Sequence, residues 1–155
     1  IMSQSRSRQV MRIIRKALGD RVMVESYSIA GIGYLRADDR AAIPQAADFL
    51  LTEENVHTAF VYGIVRANSG EESVIGSLRT SKLTVDPDDF IKTTFGQNQD
   101  GAFYGGGKQL AGGFEMPLGF LAGEGDDAYL EMKWQVFDQQ IKQKIFAKIG
   151  VKSGA

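Results

Sequence analysis

The sequence predicts an α/β or α+β domain in which a single mixed β-sheet is covered by helices and a long amphipathic helix lies near the C-terminus. Apolar residues recur at three-to-four spacing near both ends of the chain, which is typical of helices that bury one face. Between them, residues 56–66 and 73–80 are rich in β-branched and aromatic residues and flank the turn-like segment ANSGEE, which predicts a hairpin. Helices interspersed with strands favour one sheet covered by helices.

Three elements are predicted ahead of this hairpin. Residues 22–30 form a strand, and residues 31–36 either extend it or form its partner after a glycine break. Residues 41–52 suit a short helix, because Pro44 falls in the first turn, where a missing N–H is tolerated. Residues 5–18 are predicted to form a helix with one apolar face, made of Val10, Ile13, Ile14, Ala17 and Leu18.

Two further elements are predicted between the hairpin and the last helix. Asp86 followed by Pro87 is a typical helix start, and this helix should run to about Thr94. Residues 113–121 are expected to form a final strand with an irregular end, in which Pro117 marks an edge position or a bulge.

The helix predicted at 128–149 has the most regular pattern of all. We expect it to pack on the sheet, with an interface to a second chain or domain as the alternative. Its apolar stripe consists of Leu130, Trp134, Phe137, Ile141, Ile145 and Ile149. Its opposite, polar face consists of Lys133, Gln140, Lys144 and Lys148.

Composition excludes several classes of function. The 155 residues carry a formal net charge of −1, which argues against a nucleic-acid binder with a broad basic face but allows a local anion pocket. The sequence has no cysteine and a single histidine, His57, so thiolate metal sites and zinc sites built from histidines are excluded. A polar N-terminus without a signal-peptide pattern, and no apolar run of about 20 residues, favour a cytoplasmic protein without membrane contact. Because Ile1 precedes Met2, we expect the chain to be a piece of a longer polypeptide.

No catalytic or metal-binding residue is predicted. The acidic residues come as adjacent pairs in predicted loops and helix starts, where carboxylates usually cap helices or face solvent. A two-metal hydrolase instead gathers several carboxylates and usually histidines around its ions. The nucleophile-elbow pattern GxSxG does not occur either.

The glycine-rich segment FYGGGKQLAGG suggests an anion site. Gly105, Gly106 and Gly107 would let backbone N–H groups approach a ligand without side chains in the way. If a helical turn begins at Lys108, the free N–H groups of that turn and the lysine charge would both favour an anion. The spacing matches neither the Walker loop nor the dinucleotide-binding pattern. The alternative is a flexible turn between two elements.

A second candidate lies in the segment GSLRTSK, at the end of a predicted strand. Alternation places Ser77, Arg79 and Ser81 on one side and Leu78 and Thr80 on the other. An arginine flanked by hydroxyls can fork onto a phosphate. The alternative is an ordinary polar strand face.

Together, VIGSLRTSKLTVDPDDFIKTTFG and YGGGKQLAGGFEMPLGF resemble the DHH-associated domain, subfamily one. This is the C-terminal domain of many DHH phosphoesterases, among them nanoRNases and exopolyphosphatase-like proteins. The resemblance covers residues 22–121. It implies that residues 1–155 are a single substrate-binding domain whose N-terminal partner domain, carrying the Asp-His-His motif and two manganese ions, is missing from this chain.

The resemblance implies roles for particular residues. The strand arginine of the family falls on Arg79 and its triple glycine on Gly105, Gly106 and Gly107. The usual next residue is histidine, where this sequence has Lys108, which can hold a phosphate but is a poor proton shuttle at neutral pH.

The resemblance also implies a function and partners. We expect the chain to bind a phosphorylated small molecule or short oligonucleotide without any cofactor of its own, and to be inactive alone. Hydrolysis would need the manganese-binding DHH domain of the same polypeptide. The alternatives are a ligand-sensing or oligomerisation module, including a homodimer, and a self-contained enzyme of unrelated mechanism.

Overall fold

The computed structural model describes residues 5–151, which form a six-stranded mixed sheet with four α-helices. The strands lie in the order β1-β2-β3-β4-β6-β5, and only β2 and β3 are parallel. The mixed α/β class predicted from the sequence is confirmed. The helices are α1 (Arg8–Asp20), α2 (Ala42–Leu50), α3 (Pro87–Phe95) and α4 (Asp127–Ile149). The strands are β1 (Val22–Val24), β2 (Tyr27–Arg36), β3 (Thr58–Arg66), β4 (Glu72–Thr80), β5 (Gly105–Lys108) and β6 (Ala111–Pro117).

Local sequence signals explain where three of the helices begin. The Ser7 hydroxyl accepts the N–H of Val10, so α1 starts after Ser7 rather than at residue 5. Asp86 caps α3 in the same way, with Pro87 as its first residue, as predicted. Asp126 caps α4.

The predicted strand at 22–30 is wrong, because the chain reverses within it. Glu25 and Ser26 both have positive φ, and they join β1 to β2 as a two-residue hairpin turn closed by the pair Val24 and Tyr27. Residues 31–36 do extend a strand. β2 continues through Gly31 with only a register shift before Tyr34, so the glycines do not break it.

The predicted hairpin of β3 and β4 is confirmed, with Arg66 paired to Glu72 at its closed end. The expected helical turn at Lys108 is wrong, because Lys108 ends β5 and a two-residue turn leads directly into β6. The predicted strand at 113–121 is confirmed only for residues 113–117, which belong to β6. Pro117 is its last residue, beyond the point where β5 pairs alongside.

Two apolar layers cover the sheet. Alternation along β3 sends Ala59 and Val61 towards α1 and α2, while Phe60 and Tyr62 face α3 and α4. On the first face the helices pack against β2, β3 and β4, whereas β5 and β6 receive α3 on the opposite face. The side of β5 and β6 next to α2 therefore stays accessible.

The long C-terminal helix packs on the sheet, as the main interpretation predicted. Trp134, Ile141 and Ile145 are buried, but Lys133, assigned to the polar face, is buried as well. Its ammonium lies 2.8 Å from Glu72 and also donates to two backbone carbonyls, which compensates its burial. No helix in the described part of the chain is both long and apolar enough to cross a lipid bilayer.

Candidate functional site

The sheet register brings Arg79 and Lys108 to the same level. Ala111 of β6 pairs with Arg79 of β4 on one side and with Lys108 of β5 on the other. Directly paired residues project from the same face of a sheet, and two strand spacings put the two backbones about 10 Å apart. The two cations singled out from separate sequence segments therefore flank one strip of backbone.

Arg79 is held by the protein itself in this structure. Its Nε lies 3.0 Å from Oδ1 of Asp48 in α2, and its Nη1 donates to the carbonyl of Leu78 at 3.0 Å. The side chain of Arg79 is 24% exposed and that of Asp48 is 54% exposed. An ion pair this open to water contributes little to the stability of the fold. An anionic ligand can therefore displace Asp48 from Arg79 at a small cost in free energy.

The triple glycine forms an edge strand instead of a loop of N–H groups that converge on one anion. Successive amides of an edge strand point alternately towards and away from the neighbouring strand. The outward N–H of Gly107 donates to Oδ1 of Asp88 in the first turn of α3, at 3.0 Å. This hydrogen bond, together with one from Lys92, lowers the pKa of Asp88. The carboxylate of Asp88 thus accepts the hydrogen bond of a backbone N–H group that the sequence had suggested for the ligand.

Close packing supplies a second reason for these glycines. A Cβ atom on Gly105 would lie 2.1 Å from the carbonyl oxygen of Gly113, and one on Gly107 would lie 2.5 Å from that of Ala111. Both obstacles are backbone atoms of β6, which cannot move without opening the hairpin. Gly105 and Gly107 are therefore required by the fold, whatever the segment binds.

Two depressions lie side by side along β6. The first, which we call the Arg79 groove, has a volume of about 350 Å³ and is lined by Arg79, Gly106, Gly107, Lys108, Ala111, Gly112 and Gly113. The second, of about 510 Å³, shares Gly113 and is lined among others by Arg40, Ser77, Tyr104 and Glu115. An ion pair of 3.2 Å between Arg40 and Glu115 lies at this second depression.

The predicted site residues are thus brought together only in part. Arg79, Gly106, Gly107 and Lys108 share the Arg79 groove, and Ser77 is a largely buried member of the neighbouring depression. Gly105 and Ser81 line neither. Ser81 follows the end of β4, and its Oγ lies 3.5 Å from the carbonyl of His57.

Sequence reasoning missed Asp48 and Asp88, which contact Arg79 and the Gly107 N–H of this site. Asp88 was recognisable only as a carboxylate near a helix start. Asp48 carries no local signal, because its contact with Arg79 depends on how α2 crosses the sheet.

Other polar clusters have structural partners. Tyr62 donates to Asp138, which pairs with Lys142, and burial followed by the charge of Asp138 raises the pKa of Tyr62. Nδ1 of His57 lies 2.7 Å from the hydroxyl of Thr58, and burial followed by the charge of Lys82 lowers the pKa of the imidazole. Among residues 5–151, no three or more His, Cys, Asp or Glu side chains gather as a group that could hold a metal ion.

Comparisons with known proteins leave the family open. No protein-family model matches the chain. The chain is 34% identical over 147 residues to the uncharacterized protein MJ1633 of Methanocaldococcus jannaschii, a match that covers 94% of this chain. The chain spans only 27% of that relative's length.

Among solved structures, the chain is similar to a pGpG-specific phosphodiesterase, PggH, from Vibrio cholerae. The similarity covers 88% of this chain and 40% of that one, with 9% sequence identity and a TM-score of 0.38. A TM-score this low carries no argument about fold or function. The resemblance to the DHH-associated domain therefore stays a prediction from the sequence.

Proposed function

We propose that this chain is the substrate-binding domain of a DHH-type phosphoesterase and that it holds the phosphate of a nucleotide or short oligonucleotide in the Arg79 groove. One observation carries the proposal: Arg79 and Lys108, from separate segments of the sequence, flank a single depression whose floor is glycine-rich backbone. A floor with few side chains lets a ligand approach the sheet, and two cations at its sides suit an anion.

Arg79 supplies the directional contact. Its guanidinium can present two N–H donors to one phosphate, and Asp48 already holds it next to the groove. On binding, the ligand phosphate takes the place of the Asp48 carboxylate. A phosphate oxygen then receives a charge-assisted hydrogen bond, which is worth about 1.5–3 kcal/mol.

Lys108 supplies a point charge at the exposed rim of the groove. Its flexible ammonium attracts a phosphate from several directions and sets no bidentate geometry. Where the DHH-associated family has histidine, this chain has a lysine, whose ammonium donates hydrogen bonds but accepts none. We therefore assign Lys108 to binding and not to catalysis.

Hydrolysis is assigned to a DHH domain elsewhere in a longer polypeptide. The manganese ions of such enzymes need clustered carboxylates and histidines, and residues 5–151 contain no group of that kind. The side chains of residues 5–151 do not fit a manganese site, so we assign no step of the hydrolysis to them.

The test is a titration of the full chain with a 5′-phosphorylated adenine dinucleotide and with the same dinucleotide lacking that phosphate. We expect the phosphorylated ligand to bind more tightly. Arg79→Ala and Lys108→Ala should each weaken its binding, by about tenfold for the arginine, which loses a charged hydrogen bond. Lys144→Ala is the matched control, because Lys144 is an exposed lysine on α4. Equal affinities for all four proteins would overturn the assignment.

A second assay separates this function from a self-contained enzyme. The full chain is incubated with the phosphorylated dinucleotide and added Mn²⁺, and nucleotide release is followed by chromatography. We expect no turnover above the buffer control. Turnover that survives repurification would instead favour an enzyme of unrelated mechanism.

A further inference from the structure

The second depression along β6 lies on the same face of the sheet as the Arg79 groove. Ser77 and Arg79 are two residues apart on β4, and residues at that spacing in a strand project from one face. Ser77 pairs with Gly113, which lines both depressions. Since Gly113 has no side chain, it forms no barrier between the two depressions, and one ligand can extend across both.

The second depression, which we call the Glu115 hollow, has the size and lining of a small-molecule site. Its volume of about 510 Å³ lies within the range of such sites. Pro44 of α2 and Ile75 of β4 contribute apolar surface, and Tyr104 contributes an aromatic side chain. Arg40 and Glu115 are the charged residues that line it among those that the structure describes.

The Glu115 hollow differs from the Arg79 groove in charge. Arg40 lies 3.2 Å from Oε1 of Glu115, so the two charges of the hollow cancel. The Arg79 groove is lined by two cations, Arg79 and Lys108, of which only the arginine is paired with Asp48 at 3.0 Å, and its net charge is positive. A phosphate therefore finds a counter-charge in the groove, whereas in the hollow it would meet a carboxylate. The hollow suits an uncharged, polar part of the ligand.

The pair of Arg40 and Glu115 offers a hydrogen-bond donor and an acceptor side by side. Their side chains are 53% and 49% exposed, and an ion pair this open to water exchanges partners at small cost. The edge of a nucleobase carries N–H donors beside nitrogen or oxygen acceptors. A carboxylate accepts and a guanidinium donates, so the pair matches such an edge. Aromatic side chains such as Tyr104 provide the surface on which bases stack.

We propose that the Glu115 hollow binds the nucleobase of the nucleotide whose phosphate lies in the Arg79 groove, an inference that rests on the proposed function. The β6 segments that line the two depressions are centred on Gly112 and Phe114, two residues and about 7 Å apart along the strand. The ribose of a nucleotide separates its phosphate from its base by a comparable distance. Glu115 accepts from an N–H of the base, and Arg40 donates to the neighbouring acceptor. The ligand class is a nucleoside phosphate and not a polyphosphate chain, which would place negative charge beside Glu115.

Titration of the full chain with ribose 5-phosphate and with the four common ribonucleoside 5′-monophosphates tests the inference. All five ligands share the sugar and the phosphate, and only the nucleotides have a base. We expect at least one nucleotide to bind about tenfold more tightly than ribose 5-phosphate, because stacking and edge hydrogen bonds add to the phosphate contact. Tyr104→Leu and Glu115→Gln should each reduce this ratio by about threefold or more. Neither variant should weaken the binding of ribose 5-phosphate, which also shows that the variant is folded.

Two further variants complete the design. Glu131→Gln is the matched control, because it removes the same charge from an exposed glutamate on α4, on the other face of the sheet. It should leave the ratio unchanged. Arg79→Ala should weaken the binding of ribose 5-phosphate and of the nucleotides alike, because it removes the phosphate contact that they share.

The outcomes separate this inference from the proposed function. Equal affinities for all five ligands, each lowered by Arg79→Ala, would overturn the base site and leave the phosphate site standing. A nucleotide preference that neither Tyr104→Leu nor Glu115→Gln reduces would also refute the base site. Nucleotide binding that Arg79→Ala does not change, or no binding of any ligand, would overturn the phosphate site and this inference with it.

Discussion

Arg79 Nε lies 3.0 Å from Asp48 Oδ1. The arginine that we propose binds the ligand phosphate is therefore paired with the carboxylate of Asp48 in the free protein. The pair bridges β4 and α2 and holds the guanidinium beside the Arg79 groove. A ligand phosphate has to compete with Asp48 for the same donors. The carboxylate therefore positions the arginine and also limits the affinity of the groove for anions.

Asp48→Asn should raise the affinity for the phosphorylated dinucleotide. The substitution removes the competing charge, and exposed ion pairs are worth about 0.2–1 kcal/mol, which corresponds to an increase of up to about fivefold. Isothermal titration at moderate salt measures the effect. Raising the salt concentration should shrink it, because salt screens exposed charges.

Glu53→Gln provides the matched comparison for this change. Glu53 pairs with Arg21 at the same distance of 3.0 Å, and neither residue lines the Arg79 groove. The overall charge changes by the same amount in both variants. If Glu53→Gln raised the affinity as much as Asp48→Asn, the effect would come from net charge and the specific competition would be refuted.

The sequence predicts those parts of the fold that depend on short-range signals. Asp86 followed by Pro87 marks the start of α3, and the segment ANSGEE marks the turn of the β3–β4 hairpin. The turn at Glu25 and Ser26 was missed because neither residue is the glycine or asparagine that usually adopts positive φ. Lys133 was misplaced because its burial depends on Glu72, which lies 61 residues away in the sequence.

Gly107→Ala should destabilise the protein and impair the Arg79 groove. The added Cβ would lie 2.5 Å from the carbonyl oxygen of Ala111 and 2.8 Å from the Cα of Gly112, so β5 must move away from β6. Overpacking of this kind costs about 1–3 kcal/mol. Urea denaturation measures the loss of unfolding free energy, and a titration with the phosphorylated dinucleotide measures the loss of binding.

Gly19→Ala should have the opposite effect on stability. Gly19 lies in the last turn of α1, and a Cβ there would meet no atom within 4 Å. Alanine favours the helix over glycine by up to about 1 kcal/mol, so the unfolding free energy should rise. A Gly107→Ala protein as stable as Gly19→Ala would show that β5 tolerates side chains, which would contradict the packing explanation for the triple glycine.

The site could be predicted less completely than the fold. Arg79 and the glycines stand out because their residue types suggest anion binding, and the register of three strands then places Arg79 level with Lys108. Asp88 takes the Gly107 N–H because α3 packs beside an edge strand, an arrangement that residue spacing does not encode. Ser81 was grouped with Arg79 by alternation, which holds only within the strand, and β4 ends one residue earlier.

Glu72→Gln should cost about 3 kcal/mol or more of unfolding free energy at neutral pH. The side chain of Glu72 is fully buried and that of Lys133 is only 6% exposed, so removing the carboxylate leaves a buried ammonium without its counter-charge. Burial alone raises the pKa of Glu72. Hydrogen bonds from Lys133 and the Gly123 N–H, with the charges of Lys133 and Arg66, outweigh it and lower the pKa overall.

The lowered pKa of Glu72 determines how the difference in unfolding free energy between wild type and Glu72→Gln depends on pH. A carboxyl group with a depressed pKa contributes its full stability above its unfolded value of 4.5 and loses it as the pH falls through the folded pKa. The gap between wild type and Glu72→Gln should therefore be largest at neutral pH and narrow below about 4.5. Glu124→Gln is the control, because Glu124 also pairs with Arg66, at 3.6 Å, but is 83% exposed, so it should cost less than about 1 kcal/mol. A gap for Glu72→Gln that stayed constant from neutral to acidic pH would show that Glu72 does not contribute through its charge.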